Sequence, residues 1–450
     1  MDIRGIIDRL FEKGKSKGLE EMEVFIQRGS EFELMVYKQE IDKYSIADQE
    51  GLSFRGIYNG KMGYSYTEKV DETSIDMLIE EAISNAKVID SDDEEEIFEG
   101  SKEYKTIDVY NDNLDKVTQE EKINFAKELE NEAFKLDDRV ESVNYCLYND
   151  EKSNTIMVNT KGLDLEDKMN IAIGYISVVV KEGNDVKTAG KLITSNNFSK
   201  FKPKKLAKEA VEEAISMLNA DSIKSDEYEV VLRRDVSANI LKAFSPIFSA
   251  EKVQKGLSML KGKLNKKIGN DILTIVDDPF MKAGVGSRSF DGEGVATKYK
   301  KIIDKGVLTT YLHNLKTAKK DGVDSTGNAL KSSYKSSISI APTNMYIEKG
   351  DITFDNMIKG VDKGILIIDV QGLHSGLNTV SGDFSLSAYG YEILNGKINR
   401  PVNQITIAGN YFEMLNDIEE IGDDLEFGMP GSSYIGSPSI KIKKLSVAGK

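Results

Sequence analysis

Hydrophobic positions in the first ninety residues change period twice. Over residues 3–18, Ile3, Ile6, Ile7, Leu10 and Phe11 fall at helical spacing, which predicts an amphipathic opening helix. A period of two follows in VFIQR, FELMVYKQ, IDKYSIAD, LSFRGIYN and MGYSYTE, each reading as a strand with one apolar face. The expected breaks are Arg28-Gly29-Ser30, Gln49-Glu50-Gly51 and Asn59-Gly60. The last is the strongest short hairpin signal, because both central residues of a type I′ turn need positive φ. Helical period returns over about 72–88, with Ile75, Leu78, Ile79, Ala82, Ile83 and Ala86 on one face. Together these elements predict an antiparallel meander with helices packed on one face, a first α+β module over residues 1–97.

The acidic run Asp90 to Glu96 (DSDDEEE) reads as a solvated linker, because successive like charges repel. Asp108 to Glu120 has a faint calcium-loop look but lacks the glycine that such a loop turns on. Thr118 to Glu121 forms a capping box and opens a helix that runs to about Leu136. The alternating segments IAIGYISVVVK and VKTAGKLITS follow. A helix over about 203–219 then buries Leu206, Ala210, Val211, Ala214 and Leu218. This makes a second α+β module, residues 98–225. From Asp226 the texture changes: EVVLRR, LTIVDD, ILIIDV, SLSAYGYEI and QITIAGN alternate with Gly-, Ser- and Asn-rich loops. Residues 226–450 are therefore expected to form a β-rich domain, a sandwich or a distorted barrel, and the fold class is α+β.

Composition narrows the function. The 450 residues carry a formal charge of −15, which opposes a general nucleic-acid role. The basic stretch Lys202 to Lys208 reads as the polar face of a helix. The single cysteine, Cys146, excludes an intramolecular disulfide; it sits on a strand with no activating base nearby and reads as a small apolar residue. The first residues lack the apolar core of a signal peptide, and no apolar run approaches a membrane span, so the chain is expected to be cytoplasmic.

The strings that remain lie mostly in the last half: SFDGEGVAT, STGNA (Ser325 to Ala329), SGDFSLSAYGYEILNGKINRPV, TIAGN and IGSPSIKIKKLSVAG. In their order and spacing, with GLSFRGIYNGKMGYSYTE and ISNAK near the start, they resemble the TldD/PmbA family over nearly the whole chain. The resemblance implies a zinc-peptidase background, since catalytic members carry a His-Glu-x-x-x-His helix after the first strand of the C-terminal domain. Here that stretch is Ser237 to Ser249 (SANILKAFSPIFS), with no histidine, carboxylate or cysteine, and with Pro246 placed to break a helix. The family's further ligand, a cysteine near the C-terminus, has no counterpart in Phe427 to Gly436. The pattern is similar to the PmbA/TldE branch, whose members pair with a TldD-type subunit. The resemblance thus implies a non-catalytic subunit that binds extended peptides, with no catalytic residue, metal or cofactor of its own. Zinc would be carried by the TldD-like partner. The alternatives are a stand-alone homodimeric binding or assembly protein, or an autonomous hydrolase using His374 and carboxylates.

Candidate contact residues lie in the loop 371–385: His374, Gly376, Gly382, Asp383, Phe384 and Ser385. One reading gives these glycines close backbone approach to a peptide or partner; the other gives them turn geometry alone. His313 reads as a structural histidine at a strand end. Asp277 and Asp278 are adjacent on a strand and face opposite ways, and DGEG (291–294) reads as a tight turn with Gly292 and Gly294 at positive φ.

Overall fold

The computed structural model describes residues 3–89, 95–282 and 284–450. The N-terminal half contains α1 (Ile3–Ser16), β1 (Met22–Tyr37), β2 (Glu40–Tyr58), β3 (Lys61–Thr67) and α2 (Ile75–Val88). It continues through α3 (Asp112–Asp115), α4 (Gln119–Leu136), β4 (Val140–Asn159), β5 (Asp164–Glu182), β6 (Asp185–Ser195) and α5 (Pro203–Ser216). The strands are ordered β3-β2-β1-β4-β5-β6, so the two expected modules are halves of one sheet, joined where β1 pairs antiparallel with β4. The acidic linker falls mainly on residues 90–94, outside the described residues.

Two expected breaks are not turns. VFIQR and FELMVYKQ form the single strand β1, and IDKYSIAD and LSFRGIYN form β2. Gly29 stays in register with Gln49 and Ser153; a Cβ there would lie 2.9 Å from the Lys152 carbonyl oxygen. At Gly51 a Cβ would run into the Tyr334 ring. Both glycines allow close approach rather than reversal. The reversal lies at Lys38-Gln39, with φ of 53° and 63°. Its backbone N–H groups donate to the buried Glu130 carboxylate of α4 at 2.8 and 2.6 Å. Asn59-Gly60 does form the expected hairpin, with φ of 51° and 74°.

One face of the sheet is covered by helices. Val24, Ile26, Leu52, Phe54 and Ile156 pack with α1 and α2. Phe32, Leu34, Val36, Cys146 and Tyr148 pack with α4 and α5. The capping box at Thr118 and Glu121 forms as expected and fixes the start of α4. Cys146 is buried, and burial pushes its thiol up to about 12, so it acts as packing. Lys205 and Lys208 pair with Glu209 and Glu212 on the polar face of α5.

The C-terminal half begins with β7 (Asp226–Leu232) and α6 (Arg234–Phe244). β7 lies between the strands Lys363–Gln371 and Ile440–Ala448; Asp383–Leu394 and Lys397–Asn410 extend the sheet, and Thr406–Ala408 pairs back onto Ser446–Ala448. That last pairing closes five strands into a barrel, which settles the expected choice between sandwich and barrel. A second six-stranded sheet includes Ile275–Asp277, Asn344–Ile347 and Tyr434–Ser437. Its Ile275, Met345 and Ile435 share one core with Val230, Ile365 and Ile407 of the barrel. Between them runs α6, its Phe244 ring stacked on Tyr411 at 4.1 Å. The helix ends at Phe244, and Pro246 lies in the first turn of the 3-10 segment Ser245–Phe248.

Candidate functional site: an inter-domain cavity

The uncovered face of the N-terminal sheet looks toward the C-terminal domain, and a cavity of about 510 Å³ lies between them. Phe25 and Gln27 of β1, Glu151, Ser153 and Thr155 of β4, and Asp167, Met169 and Ile171 of β5 form one wall. These are the odd-numbered positions of each strand, brought side by side by the antiparallel register. Segments 285–292, 330–332, 342–343 and 430–434 form the other wall. Polar positions continue along the sheet through Gln49, Gly29 and Glu31 toward Tyr334.

The charges in this cavity are unevenly matched. Asp291 is buried and accepts N–H groups from Glu293 at 2.9 Å, Val295 at 3.0 Å and Ala329 at 2.9 Å. It holds the turn Asp291–Gly294 against the strand at Ala329. Of the two glycines expected at positive φ, only Gly294 has it, at 82°. Gly292 is needed for another reason, since a Cβ there would lie 2.7 Å from the Lys331 nitrogen. Burial pushes the Asp167 carboxyl up, and it pushes Glu151 up with help from Glu31. Burial also lowers the Lys331 ammonium to about 8, with Arg55 adding to the effect. Lys331 donates to the Ser336 carbonyl at 3.0 Å and lies 5.4 Å above the Phe25 ring. In the same wall, Nε and Nη2 of Arg288 are hidden from solvent and have no hydrogen-bond partner among the described residues.

Asp277 lies behind this wall, fully buried. Its Oδ2 takes Lys300 at 2.9 Å and Asn328 at 2.8 Å, and its Oδ1 takes the Thr343 N–H at 2.6 Å and hydroxyl at 2.7 Å. Asp278 instead accepts the Phe280 N–H at 2.9 Å. The two adjacent carboxylates therefore serve different structures, as strand geometry requires. His313 is buried, with its N–H donated to Thr326 at 2.7 Å. Desolvation holds its imidazole below the ordinary value, and Nδ1 has no partner among the described residues.

The loop 371–385 lies elsewhere, at the end of the barrel strands; none of its six candidate residues lines the cavity. Phe384 is in the barrel core, and Gly382 is buried at φ 85° with its carbonyl accepting from Tyr411 at 2.8 Å. Gly376 accepts from the Ser385 N–H at 2.7 Å, closing the loop on itself. His374, Asp383 and Ser385 are exposed, and Asn410 Nδ2 donates to Asp383 at 2.9 Å, which lowers the carboxyl.

The two stretches that the resemblance marks for zinc ligands, 237–249 and 427–436, do meet. Helix α6 packs on the strand Tyr434–Ser437: Ser237 and Ser437 share a hydroxyl bond of 2.7 Å, and Lys242 Nζ donates to the Met429 carbonyl at 2.9 Å. Zinc takes thiolate, imidazole or carboxylate. This junction offers Ser237, Asn239, Lys242, Met429, Ser433 and Ser437, while the carboxylates Asp424 and Glu426 nearby pair with Arg234. The donor set does not fit zinc, and the Lys242 ammonium would repel it. Among the described residues no group of three or more His, Cys, Asp or Glu side chains is gathered to hold a metal ion.

Three family models match the chain in series. They are described as PmbA/TldA metallopeptidase domain 1 (residues 22–86), its central domain (112–218) and its C-terminal domain (225–449). The chain is similar to a Buchnera aphidicola protein described as Metalloprotease PmbA homolog, 27% identical over 435 residues, covering 95% of this chain and 93% of that one. A second Buchnera aphidicola relative, described as Metalloprotease TldD homolog, is 28% identical and covers 89% and 86%. Among solved structures, a Thermotoga maritima protein described as a proposed modulator of a DNA gyrase superposes with a TM-score of 0.92 at 34% identity, over 99% and 100% of the two chains. TldE from Thermococcus kodakarensis shares the fold, with a TM-score of 0.91 at 23% identity over 99% and 100%.

Proposed function

The chain belongs to the PmbA/TldD metallopeptidase family, and we propose that within it the chain serves as a non-catalytic, cytoplasmic subunit that binds extended peptides and completes the substrate channel of a TldD-like partner. The observation that carries this reading is the junction of α6 with residues 427–436 and the adjoining Ser437. The fold brings the family's ligand-bearing stretches together there, but with hydroxyl, amide and ammonium groups in place of zinc ligands. Zinc and the group that activates water would be supplied by the partner. This chain would supply the wall: a cavity of about 510 Å³ backed by a pleated sheet whose Gln27, Ser153 and Thr155 present hydrogen-bonding groups at every second position. A narrow space between two domains admits an unfolded strand and rejects a folded protein. His374, Asp383 and Ser385, exposed and outside the cavity lining, would be offered to the partner rather than to the peptide.

Self-association is a second reading with its own observation. The segment Glu40–Glu50 of β2 pairs with β1 on one side and lies beyond the reach of β3 on the other, and Ile41, Tyr44 and Ile46 are exposed along it. An unpaired strand edge with apolar side chains favours strand addition by another chain.

Affinity purification of the tagged chain from its own cells, with mass spectrometry and zinc analysis, tests both readings. The expected result is co-recovery of a relative bearing His-Glu-x-x-x-His, with zinc in the complex and none in the isolated chain. Recovery of the chain as a self-pair alone would favour the homodimer. One tightly held zinc and peptidase activity in the isolated chain would overturn the non-catalytic assignment.

A further inference from the structure

Among the described residues of the cavity wall, the Arg288 guanidinium is the group with buried nitrogens left without a hydrogen-bond partner. Its backbone is fixed: the N–H donates to the Pro279 carbonyl at 3.2 Å, and the carbonyl accepts from the Thr297 hydroxyl at 2.5 Å. Its Nε and Nη2 are shielded from solvent and have no hydrogen-bond partner among the described residues. Those two nitrogens form one edge of the guanidinium, with parallel N–H bonds spaced to match the two oxygens of a carboxylate. The same protein shows the edge in use. Arg233 grips Asp235 through Nε at 2.7 Å and Nη2 at 2.6 Å, and Arg139 grips Asp137 through the same pair of atoms at 2.9 Å each.

Among the described residues no carboxylate performs this role for Arg288. The three whose charge reaches it are Asp291, Asp277 and Asp167. The first two are committed to the bonds described above. Asp167 accepts backbone N–H groups from Lys168 at 3.0 Å and Ser289 at 3.4 Å. Two further cations, Lys168 and Lys331, line the same cavity and add to its positive charge. Guanidinium nitrogens shielded from solvent and left unmatched are costly, and desolvation accordingly holds this half-buried side chain below its ordinary value. An edge so shaped, in the wall of a cavity of about 510 Å³, has the geometry to receive a carboxylate.

We infer that Arg288 takes a carboxylate of the extended peptide bound in the inter-domain cavity, either its C-terminal carboxylate or the side chain of an Asp or Glu. This rests on the peptide-binding role proposed above. It adds a point of register to a surface that otherwise recognises main chain, and so gives a preference among unfolded substrates.

The test uses the full-length chain and fluorescence anisotropy with three tagged, unstructured ten-residue peptides of Ala, Ser and Leu. The first has a free C-terminal carboxylate, the second a C-terminal amide, and the third the amide with one internal Glu. A charge-assisted bidentate contact predicts at least about tenfold tighter binding of the first or the third than of the neutral amide. Whichever of the two is preferred identifies the source of the carboxylate. Arg288→Met should bring the preferred peptide down to the affinity of the amide. Arg288→Lys, which keeps the charge but not the fork, should retain only part of the preference and guards against misfolding of the Met variant. Equal binding of all three peptides, or a preference that survives Arg288→Met, would overturn the Arg288 inference and leave peptide binding standing. Failure of all three to bind would sink both.

Discussion

Glu293 is buried where the two domains meet, with its Oε2 accepting the Leu315 N–H at 2.8 Å. Desolvation and then the neighbouring Asp291 push its carboxyl up, while Arg55, itself bonded to Glu23 at 2.8 Å, pulls it down; Glu23 adds a little upward. Burial pushes Asp291 up as well, to about 6, but the three N–H groups it accepts favour its charged form. Glu293, pushed up to about 8, is therefore the member of the pair that keeps the proton. The consequence for stability has a definite sign. A carboxyl raised above its ordinary value of 4.5 means that the folded state binds more protons than the unfolded one above that pH. The contribution is fully present below the ordinary value and is lost as pH rises toward the raised one. Glu293→Gln, a neutral copy of the protonated acid, should therefore melt close to wild type at acid pH and above it at alkaline pH. Thermal melts across that range check this, and parallel curves would refute it. None of this was legible in DGEG as a string. The turn was, because Gly294 follows from its positive φ, but the burial of Asp291 and Glu293 depends on residues 23 and 55 arriving from the other domain.

At the scale of elements, helices and strand periods were legible wherever a burial face repeats. The periods placed α1, α2, α4 and α5, and the Asn59-Gly60 hairpin announced itself. The turn at Lys38-Gln39 did not, because neither residue favours positive φ and the group that stabilises it lies about ninety positions away in α4. The glycines at 29 and 51 drew attention as turns because the need for close packing leaves the same mark in a sequence as the need for reversal. This assigns Glu130 a testable role. Removing its carboxylate in Glu130→Ala strands the Lys38 and Gln39 N–H groups and should cost about 1–3 kcal/mol, read by urea denaturation. Installing Asn-Gly at positions 38 and 39 in that background, which suits the backbone without outside help, should recover about 1 kcal/mol of it. If the double replacement recovers nothing, the turn is not what Glu130 supports.

Across the whole molecule, the cavity lies beside a small apolar seam that the two domains share. Phe25, Met157 and Leu163 from the N-terminal sheet close on Phe290 and Tyr334 from the C-terminal domain. Hydrogen bonds from Tyr104 to the Gly294 carbonyl at 2.7 Å and from Tyr334 to Glu68 at 2.9 Å flank the seam. This is why the candidate site was hidden from sequence reading while the family resemblance was not. The resemblance rests on strings that each lie within one domain, whereas Arg288, Gln27 and Thr155 meet only after both domains have folded and docked. The seam also determines how the molecule unfolds. A buried Phe joining two otherwise separate cores makes each domain stabilise the other, so the intact chain should melt in one transition. Phe290→Ala removes the central ring of the seam, at about 3–5 kcal/mol for a well-packed site. Calorimetry should then resolve two transitions, with protease cleavage near residues 219–226, between α5 and β7, preceding loss of the barrel. Phe244→Ala, equally buried but wholly within the barrel core, is the control: it should weaken the C-terminal domain without exposing that junction. A single, merely lowered transition in Phe290→Ala would mean that the contact of Arg233, between β7 and α6, with Glu213 of α5 couples the domains instead, and Glu213→Gln would then be the variant that splits them.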